Sequence, residues 1–230
     1  MANSINTNVG AMVALQNLNA TGRDLKVTQD RVSTGLKVGS AKDNGAIWAI
    51  SQNQKANMGV LNATRNALQR TMSVNDVGLA AGETIMDALR QMKELAAGPA
   101  SAARDADLAA LRTEVVAAQA AAVFDGTAAL SGLTLTIAAA PTAGQIDADI
   151  ASAITALQAL GTSAKSTERS LVFNDKLQDA IESGIGNLID ADLAKESARL
   201  TALQTKQQLG VQALSIANQS GSILLGLFRN

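Results

Sequence analysis

Both ends of this chain are long stretches without a charged side chain. Residues 1–22 and 207–228 contain no Asp, Glu, Lys or Arg, and Asn, Gln, Ser and Thr fill the polar positions. Large apolar residues recur there in steps of three and four, which is the spacing of a helix seam. A solvated amphipathic helix instead carries Lys and Glu on its outer face. We therefore expect two terminal helices that pair with each other and are covered by further copies of the same chain.

The predicted assembly interface consists of the apolar residues at those steps. In the N-terminal helix they are Ile5, Val9, Met12, Leu15, Leu18, Leu25 and Val32. In the C-terminal helix they are Leu193, Leu200, Leu203, Leu214, Ala217, Leu224 and Phe228. These residues could also form the plain core of an isolated bundle. The missing charge on both outer faces favours an interface between copies.

The composition favours long helices and argues against catalysis, metal binding and nucleic-acid binding. Hydrophobic residues make up 47% of the chain but aromatic residues only 2%, so Ala and Leu must supply the core, which suits close helix packing. The chain has no Cys and no His, which removes thiolate metal sites and the commonest general base. Its net charge of −1 argues against nucleic acid as a partner. We expect no catalytic residue, metal or cofactor.

The N-terminal stretch does not resemble a secretory signal. It lacks a positive n-region, and no A-x-A site follows an apolar run. Amides interrupt both termini well short of the ~20 apolar residues of a membrane span. We expect a chain without membrane insertion that is cytosolic, or that leaves the cell by a route that reads no cleaved signal.

The pattern of breakers predicts the helices. The first runs from about Asn3 to Ser33 with a Gly35 cap, and Ser40–Asp43 reads as a capping box for the second. The second meets no breaker before Gly98–Pro99, so it would be about 80 Å long. Ser101 caps a third helix to about Val123.

The second half is predicted to add a turn, a strand and two helices. Phe124–Thr127 reads as a turn, and Leu133–Ile137 alternates like a half-buried strand in a small hairpin. A fourth helix starts at Asp147 or Asp149 and loosens at Gly184 and Gly186, and the final helix starts at Asp190 or Asp192. Each of these carboxylate pairs could be read as a catalytic or metal pair, but helix N-terminal carboxylates are the favoured interpretation.

The predicted fold is mainly α, an elongated antiparallel helical bundle or coiled coil with a small β-hairpin and paired N- and C-terminal helices. The predicted domains are residues 1–42 with 187–230, the terminal coiled coil, and residues 43–186, a helical bundle with its hairpin near 124–144. Thr34–Lys42 and Ser183–Leu188 would connect the two.

Several strings near both ends resemble bacterial flagellin. They are Ile5–Asn8, Arg31–Val38, Ser40–Asn44, Asp190–Ser197 and Gln207–Leu214. The resemblance implies a structural subunit of the flagellar filament, with the terminal helices in an inner tube and the bundle in an outer tube. It implies secretion through the flagellar type III export apparatus, an export chaperone, hook-associated and cap proteins as partners, and a place in the extracellular filament. The family's variable outer domains would be absent, because only about Ala128–Gly144 lies between the third and fourth helices.

The resemblance also points to a receptor-contact region. In the family, an innate-immune receptor reads an Arg-x-Arg-Glu-Leu pattern on the second helix. The matching residues here are Gln91, Lys93, Glu94 and Leu95, with Gln in place of the first Arg. The resemblance therefore predicts weaker receptor activation.

Other functions are alternatives to a filament subunit. A hook–filament junction protein of the same superfamily shares the terminal helices, but the length of the terminal matches favours flagellin. An enzyme is disfavoured by the absence of His and Cys. A helical intracellular adaptor would be a stable monomer with ordered termini.

Overall fold

The computed structural model of the protein describes residues 8–136 and 141–227, with the side chains of residues 220–227 excepted. These residues form five helices and one two-stranded hairpin. The helices are α1 (Val9–Thr34), α2 (Gly45–Ala97), α3 (Ala102–Ala121), α4 (Ala143–Ile189) and α5 (Leu193–Leu227), and the strands are β1 (Val123–Phe124) and β2 (Thr127–Ala128). The structure confirms the mainly α class, the small hairpin and the pairing of the terminal helices.

The described residues divide into two compact units. One contains the chain up to Ala56 and from Ile181 onward, and the other contains Asn57–Ala180. This is the nested order expected from the sequence, but the division falls inside α2 and α4, because both helices continue without a break. The domain boundaries near residues 42 and 186 stay a prediction.

The ends of α1 and α3 follow the sequence signals. Asn8 caps α1, its Oδ1 accepting the Ala11 N–H at 3.0 Å. Gly35 ends α1 at φ 72°, the left-handed conformation that glycine adopts without strain. Ser101 caps α3, as predicted, by accepting the Arg104 N–H at 3.2 Å.

The capping box at Ser40–Asp43 is corrected. Asp43 Oδ2 accepts the backbone N–H groups of Gly39 and Ser40 and the Ser40 hydroxyl, at 2.9–3.1 Å, so these residues close a turn outside any helix. Donation by the Ser40 backbone, then by its hydroxyl, holds the pKa of the Asp43 carboxyl below its usual value. The helix cap is the next residue, Asn44, whose Oδ1 accepts the Ile47 N–H at 3.1 Å.

The start of α4 is also earlier than predicted. Thr142 and Gln145 form a reciprocal cap, the Gln145 Oε1 accepting the Thr142 N–H at 2.9 Å, so α4 begins at Ala143. Asp147 and Asp149 therefore lie inside the helix. Gly184 and Gly186 do not loosen α4, which runs to Ile189, because packing keeps an occasional glycine helical.

The hairpin lies before the alternating Leu–Thr segment. Its turn, Asp125 and Gly126, has positive φ at both residues (50° and 75°), which matches a tight β-hairpin turn. The predicted strand at Leu133–Thr136 is not a strand, and Ile137 lies outside the described residues. The alternation itself is real: Leu133 is buried and Thr134 and Thr136 are exposed.

The second unit has a compact apolar core. Its fully buried members come from α2, α3 and α4 and include Ile85, Leu89, Met92, Leu108, Val115 and Ile146. Salt bridges at its surface join Arg65 to Asp175 and Lys93 to Asp147. Because half of each of these four side chains is exposed, the pairs add little to stability.

Candidate assembly surface of the terminal helices

The terminal helices α1 and α5 run antiparallel. At one end, Asn8 Nδ2 donates to the Ala217 carbonyl at 2.7 Å, and at the other Arg31 Nη1 lies 3.1 Å from Glu196 Oε1. The N-terminal part of α1 therefore lies beside the later part of α5. This pairing brings together residues that are about 165 to 209 positions apart in the chain.

The seam between α1 and α5 follows a regular heptad spacing on both helices. Its half-buried and buried positions alternate in steps of three and four. On α1 they are Ala11, Ala14, Leu18, Thr21, Leu25, Thr28 and Val32. On α5 they are Glu196, Leu200, Leu203, Gln207, Gly210, Leu214 and Ala217. More than half of these side chains are Ala, Gly, Thr or polar, so the seam is thin and buries little apolar area.

Small residues let the two helices approach closely. A Cβ built on Gly210 would lie 3.2 Å from Leu18 Cδ1, and one built on Gly10 would lie 4.0 Å from the Ala217 Cβ. A shallow groove of about 430 Å³ remains beside this contact, lined in part by Ala14 and Leu209. Thr21 is buried there, and its hydroxyl donates to the Asn17 carbonyl at 2.9 Å.

Among the described residues, one ion pair crosses the seam. The side chains of Arg31 and Glu196 are 27% and 11% exposed, whereas each of the other ion pairs has at least one side chain that is 44% exposed or more. Glu196 Oε2 has no hydrogen-bond partner among the described residues. A carboxylate in this position depends on the guanidinium, because removing one partner of a buried pair leaves an uncompensated charge.

The predicted assembly residues fall into two groups. Leu18, Leu25 and Val32 on α1, and Leu200, Leu203, Leu214 and Ala217 on α5, belong to the seam within one chain. Val9, Met12, Leu15 and Leu193 are exposed instead. Ile5 and Phe228 lie outside the described residues, as does the Leu224 side chain. The role of these residues in assembly stays a prediction, and Ala and Thr also occupy seam positions that the large apolar residues alone did not reveal.

Further apolar side chains are exposed on the same helices. Val13, Leu209, Val211 and Ile216 are each more than half exposed, and Ile216 reaches 67%. The sequence reasoning did not single them out, because it followed one seam on each helix. The signal that could have found them is the charge-free outer face itself: no charged residue occurs at positions 8–22 or 207–219. Together with Val9, Met12 and Leu15 they form what we call the outer apolar surface.

The segment that connects α1 to α2 and the segment that connects α4 to α5 are joined by backbone hydrogen bonds. Leu36 and Asp190 form a β-bridge, and the Lys37 N–H donates to the Ile189 carbonyl at 2.6 Å. The Ala191 N–H donates to the Gly35 carbonyl at 2.8 Å, and Val38 is buried. Asp192 then caps α5 by accepting the Lys195 N–H at 3.1 Å, which is the role predicted for it.

The residues of the predicted receptor-contact region lie on α2. Gln91, Lys93 and Glu94 are exposed and Leu95 is half-buried. Lys93 Nζ lies 2.6 Å from Asp147 Oδ1, so this cation is shared with α4.

The paired carboxylates take separate roles in the structure. Asp149 is buried and accepts the Thr136 N–H at 2.7 Å, while Asp147 points to Lys93. Asp190 belongs to the β-bridge and Asp192 to the α5 cap.

In residues 8–136 and 141–227, no helix has both the length and the hydropathy of a membrane span.

Comparison with known proteins identifies the family. The model of the bacterial flagellin N-terminal helical region matches residues 5–134, and that of the flagellin C-terminal helical region matches residues 143–228. This chain belongs to the bacterial flagellin family. As a flagellin it is a structural subunit of the bacterial flagellar filament, and the matches favour this role over the hook–filament junction alternative.

Curated flagellins align along the full chain. Flagellin FljM of Caulobacter vibrioides is 48% identical, and the alignment covers 99% of each chain. A flagellin of Brucella melitensis is 32% identical over 98% of this chain and 99% of its own. Flagellin C of Rhizobium meliloti is 28% identical with the same coverage.

Proposed function

We propose that this flagellin polymerises through the outer apolar surface of α1 and α5. The observation that carries the proposal is an apolar surface that stays exposed after the two helices have paired. Val9 and Met12 are 59% and 62% exposed, and no charged residue lies within positions 8–22. Exposed apolar side chains on helix faces that carry no charge are typical of a protein–protein interface.

The contact between copies would be heterologous. The α1 side presents Val9, Met12 and Val13, and the α5 side presents Leu209 and Ile216, so the two sides are different surfaces. A surface that binds a different surface on the next copy leaves one unused side at each end of the assembly. Such contacts build open helical polymers rather than closed dimers.

Substitutions on the outer surface test the mechanism. Ile216→Asn and Met12→Asn in the full chain should each raise the critical concentration for polymerisation about tenfold. Burying a largely exposed Ile or Met side chain contributes about 1.5 kcal/mol, and 1.4 kcal/mol corresponds to a factor of ten. Sedimentation and electron microscopy of the purified protein would measure the change.

A substitution in the second unit is the control, and deletion of either terminal helix is the second test. Val60→Asn alters a 65% exposed valine of the second unit and should leave the critical concentration within about twofold of the wild type. Deleting residues 1–34 or 193–230 should abolish polymerisation and leave the second unit folded, as its circular dichroism would show. Filaments formed by either deletion variant would overturn the proposal.

We further propose the partners that membership of the family implies. These are the flagellar export chaperone, the type III export apparatus, and the hook-associated and cap proteins, with the extracellular filament as the final location. The exposed apolar side chains of α5 support a chaperone, because such a surface must be covered while the chain is still a monomer. Co-purification of the monomer with a cytosolic partner, lost in Leu209→Asn/Ile216→Asn, would test this point.

We also propose weak activation of the innate-immune receptor. Gln91 stands where the family pattern has Arg, and Lys93 is drawn toward Asp147. Fewer charge-assisted contacts would then be available to the receptor. A reporter-cell assay should show a weaker response than Gln91→Arg gives, and potent activation by the unaltered chain would contradict the proposal.

A further inference from the structure

A cationic ridge with one aromatic ring runs along the outer face of α4. Lys165, Arg169, Phe173 and Lys176 are all exposed, and Phe173 is the most exposed large hydrophobic side chain among the described residues, at 68%. Steps of four, four and three place these residues on one helix face. Thr162, Ser166 and Ala180 lie along one side of that row, and the exposed carboxylates Glu168 and Asp179 flank its other side without forming an ion pair among the described residues.

The charges of this ridge are unused within the chain. Arg65 and Lys93 in the same unit pair with Asp175 and Asp147. In contrast, Lys165, Arg169 and Lys176 make no ion pair within the described part of the protein. An exposed phenylalanine flanked by free cations is a pattern that interfaces use, because aromatic and Arg side chains are enriched there.

A complementary strip lies on α3 of the same unit. Its exposed residues Asp107 and Glu114 are the only charged members of a face otherwise made of alanine, at positions 103, 110, 117 and 121. Neither carboxylate forms an ion pair with any residue that the structure describes. Alanines on both sides of Glu114 leave room for a large side chain to approach the helix.

The spacings of the ridge and the strip match. Arg169 and Lys176 are seven residues apart with Phe173 between them, and Asp107 and Glu114 are also seven residues apart with Ala110 between them. Seven helical residues span about 10.5 Å, so two cations can meet two carboxylates at once. The ring would then lie against Ala110.

We propose that the α4 ridge of one subunit binds the α3 strip of a second copy of this flagellin. The ridge and the strip are different surfaces, so the contact is heterologous and can repeat along a filament. It rests on the proposed polymerisation but involves the second unit, and it adds register and specificity to the contact made by the terminal helices.

An acidic line on α2 is the competing surface. Asp76 and Glu83 are likewise seven residues apart, with Ala80 between them. That line continues to Arg90, which lies 2.9 Å from Asp87 and would repel a second cationic ridge. No cation lies on the α3 strip, so charge favours α3.

Charge reversal in the full chain tests the proposal. Arg169→Glu/Lys176→Glu should raise the critical concentration at least tenfold, because two attractions become repulsions. Adding Asp107→Lys/Glu114→Lys should restore it to within about threefold of the wild type, whereas adding Asp76→Lys/Glu83→Lys should not. Unchanged assembly of the first variant, or rescue through α2 alone, would overturn the proposal.

The ring is tested separately. Phe173→Ser should raise the critical concentration about tenfold, and Val60→Ser, which alters a 65% exposed valine on α2, should change it less than twofold. Equal effects would contradict a specific ring contact. Circular dichroism checks the fold of each variant. Loss of assembly in Ile216→Asn together with normal assembly of the α4 variants would refute this contact while leaving the terminal-helix mechanism intact.

Discussion

At the scale of single residues, glycines decide how closely α4 approaches α2. A Cβ at Gly82 would overlap Leu157 Cδ2 and lie 3.1 Å from its Cγ, while one at Gly59 on the same helix would meet nothing within 4 Å. The same substitution should therefore have opposite effects at the two positions. Alanine favours a helix over glycine by about 1 kcal/mol, but crowding in a packed contact costs about 1–3 kcal/mol.

We therefore expect Gly82→Ala to lower the free energy of unfolding by about 1 kcal/mol and Gly59→Ala to raise it by about 0.5 kcal/mol. Chemical denaturation below the critical concentration would measure both. Stabilisation by Gly82→Ala would show that α4 can move away from α2 at no cost, contrary to the packing described above.

The ion pair between Arg31 and Glu196 should stabilise the pairing of α1 with α5. Arg31→Ala should destabilise the pairing of α1 with α5 by about 2 kcal/mol, less than the 3–5 kcal/mol of a fully buried pair because Arg31 is partly exposed. Trp48, the sole tryptophan, lies in the same unit and would report the unfolding by its fluorescence.

The charge-swapped variant Arg31→Glu/Glu196→Arg should recover more than half of that loss, because it restores an opposite-charge pair at the same place. Arg90→Ala serves as the control, since both partners of its ion pair are about two-thirds exposed and contribute little. No recovery in the swapped variant would mean that Arg31 acts through packing rather than charge.

At the scale of elements, local signals predicted the helices well and the irregular segments poorly. Gly35, Ser101 and Asp192 cap helices as expected, because a cap depends on residues within one turn. The alternation at Leu133–Thr136 predicted the buried face but not the partner. The hydrogen-bonding partners of that segment come from α3 and α4, which no local pattern reveals.

Side chains of those two helices hold the Leu133–Thr136 segment in place. Gln119 Nε2 donates to the Leu133 carbonyl at 2.9 Å, and Ser152 Oγ donates to the Thr134 carbonyl at 3.0 Å. Asp149 Oδ1 accepts both the Thr136 N–H and its hydroxyl, at 2.7 and 3.1 Å. The segment is not part of a sheet, and side chains of α3 and α4 bond to its backbone instead.

Asp149→Ala should therefore release this segment. We expect the Thr136 amide to exchange with solvent about tenfold faster or more, because its acceptor is lost, while the core of the unit stays protected. Asp147→Ala removes an exposed carboxylate two residues away and should leave that amide unchanged. Equal exchange in both variants would mean that Asp149 does not hold the segment.

At the scale of the whole molecule, the two units differ in how much apolar surface each buries. The second unit contains fully buried large side chains such as Ile85, Leu89 and Leu108. Among the seam positions of α1 and α5 whose side chains the structure describes, the buried ones include Thr21, Thr28 and Glu196, and only Leu203 is a buried large hydrophobic residue. The lack of charge at the ends was visible in the sequence. The thinness of the seam was not, because it depends on which small residues face each other.

This difference predicts that the terminal helices gain most of their stability on assembly. A two-helix pair with a thin seam is marginal by itself, since helix stability in proteins comes mainly from tertiary packing. In the monomer, amides of α1 and α5 should exchange fast while those around Leu89 and Leu108 exchange slowly. In the polymer, both sets should be slow. Hydrogen–deuterium exchange with mass spectrometry on both forms would measure this change, with Ile216→Asn monomer as the control. Slow amide exchange of α1 and α5 in the monomer would mean that the helix pair is stable without neighbouring subunits. Burial of the outer apolar surface would then not be the source of their stability.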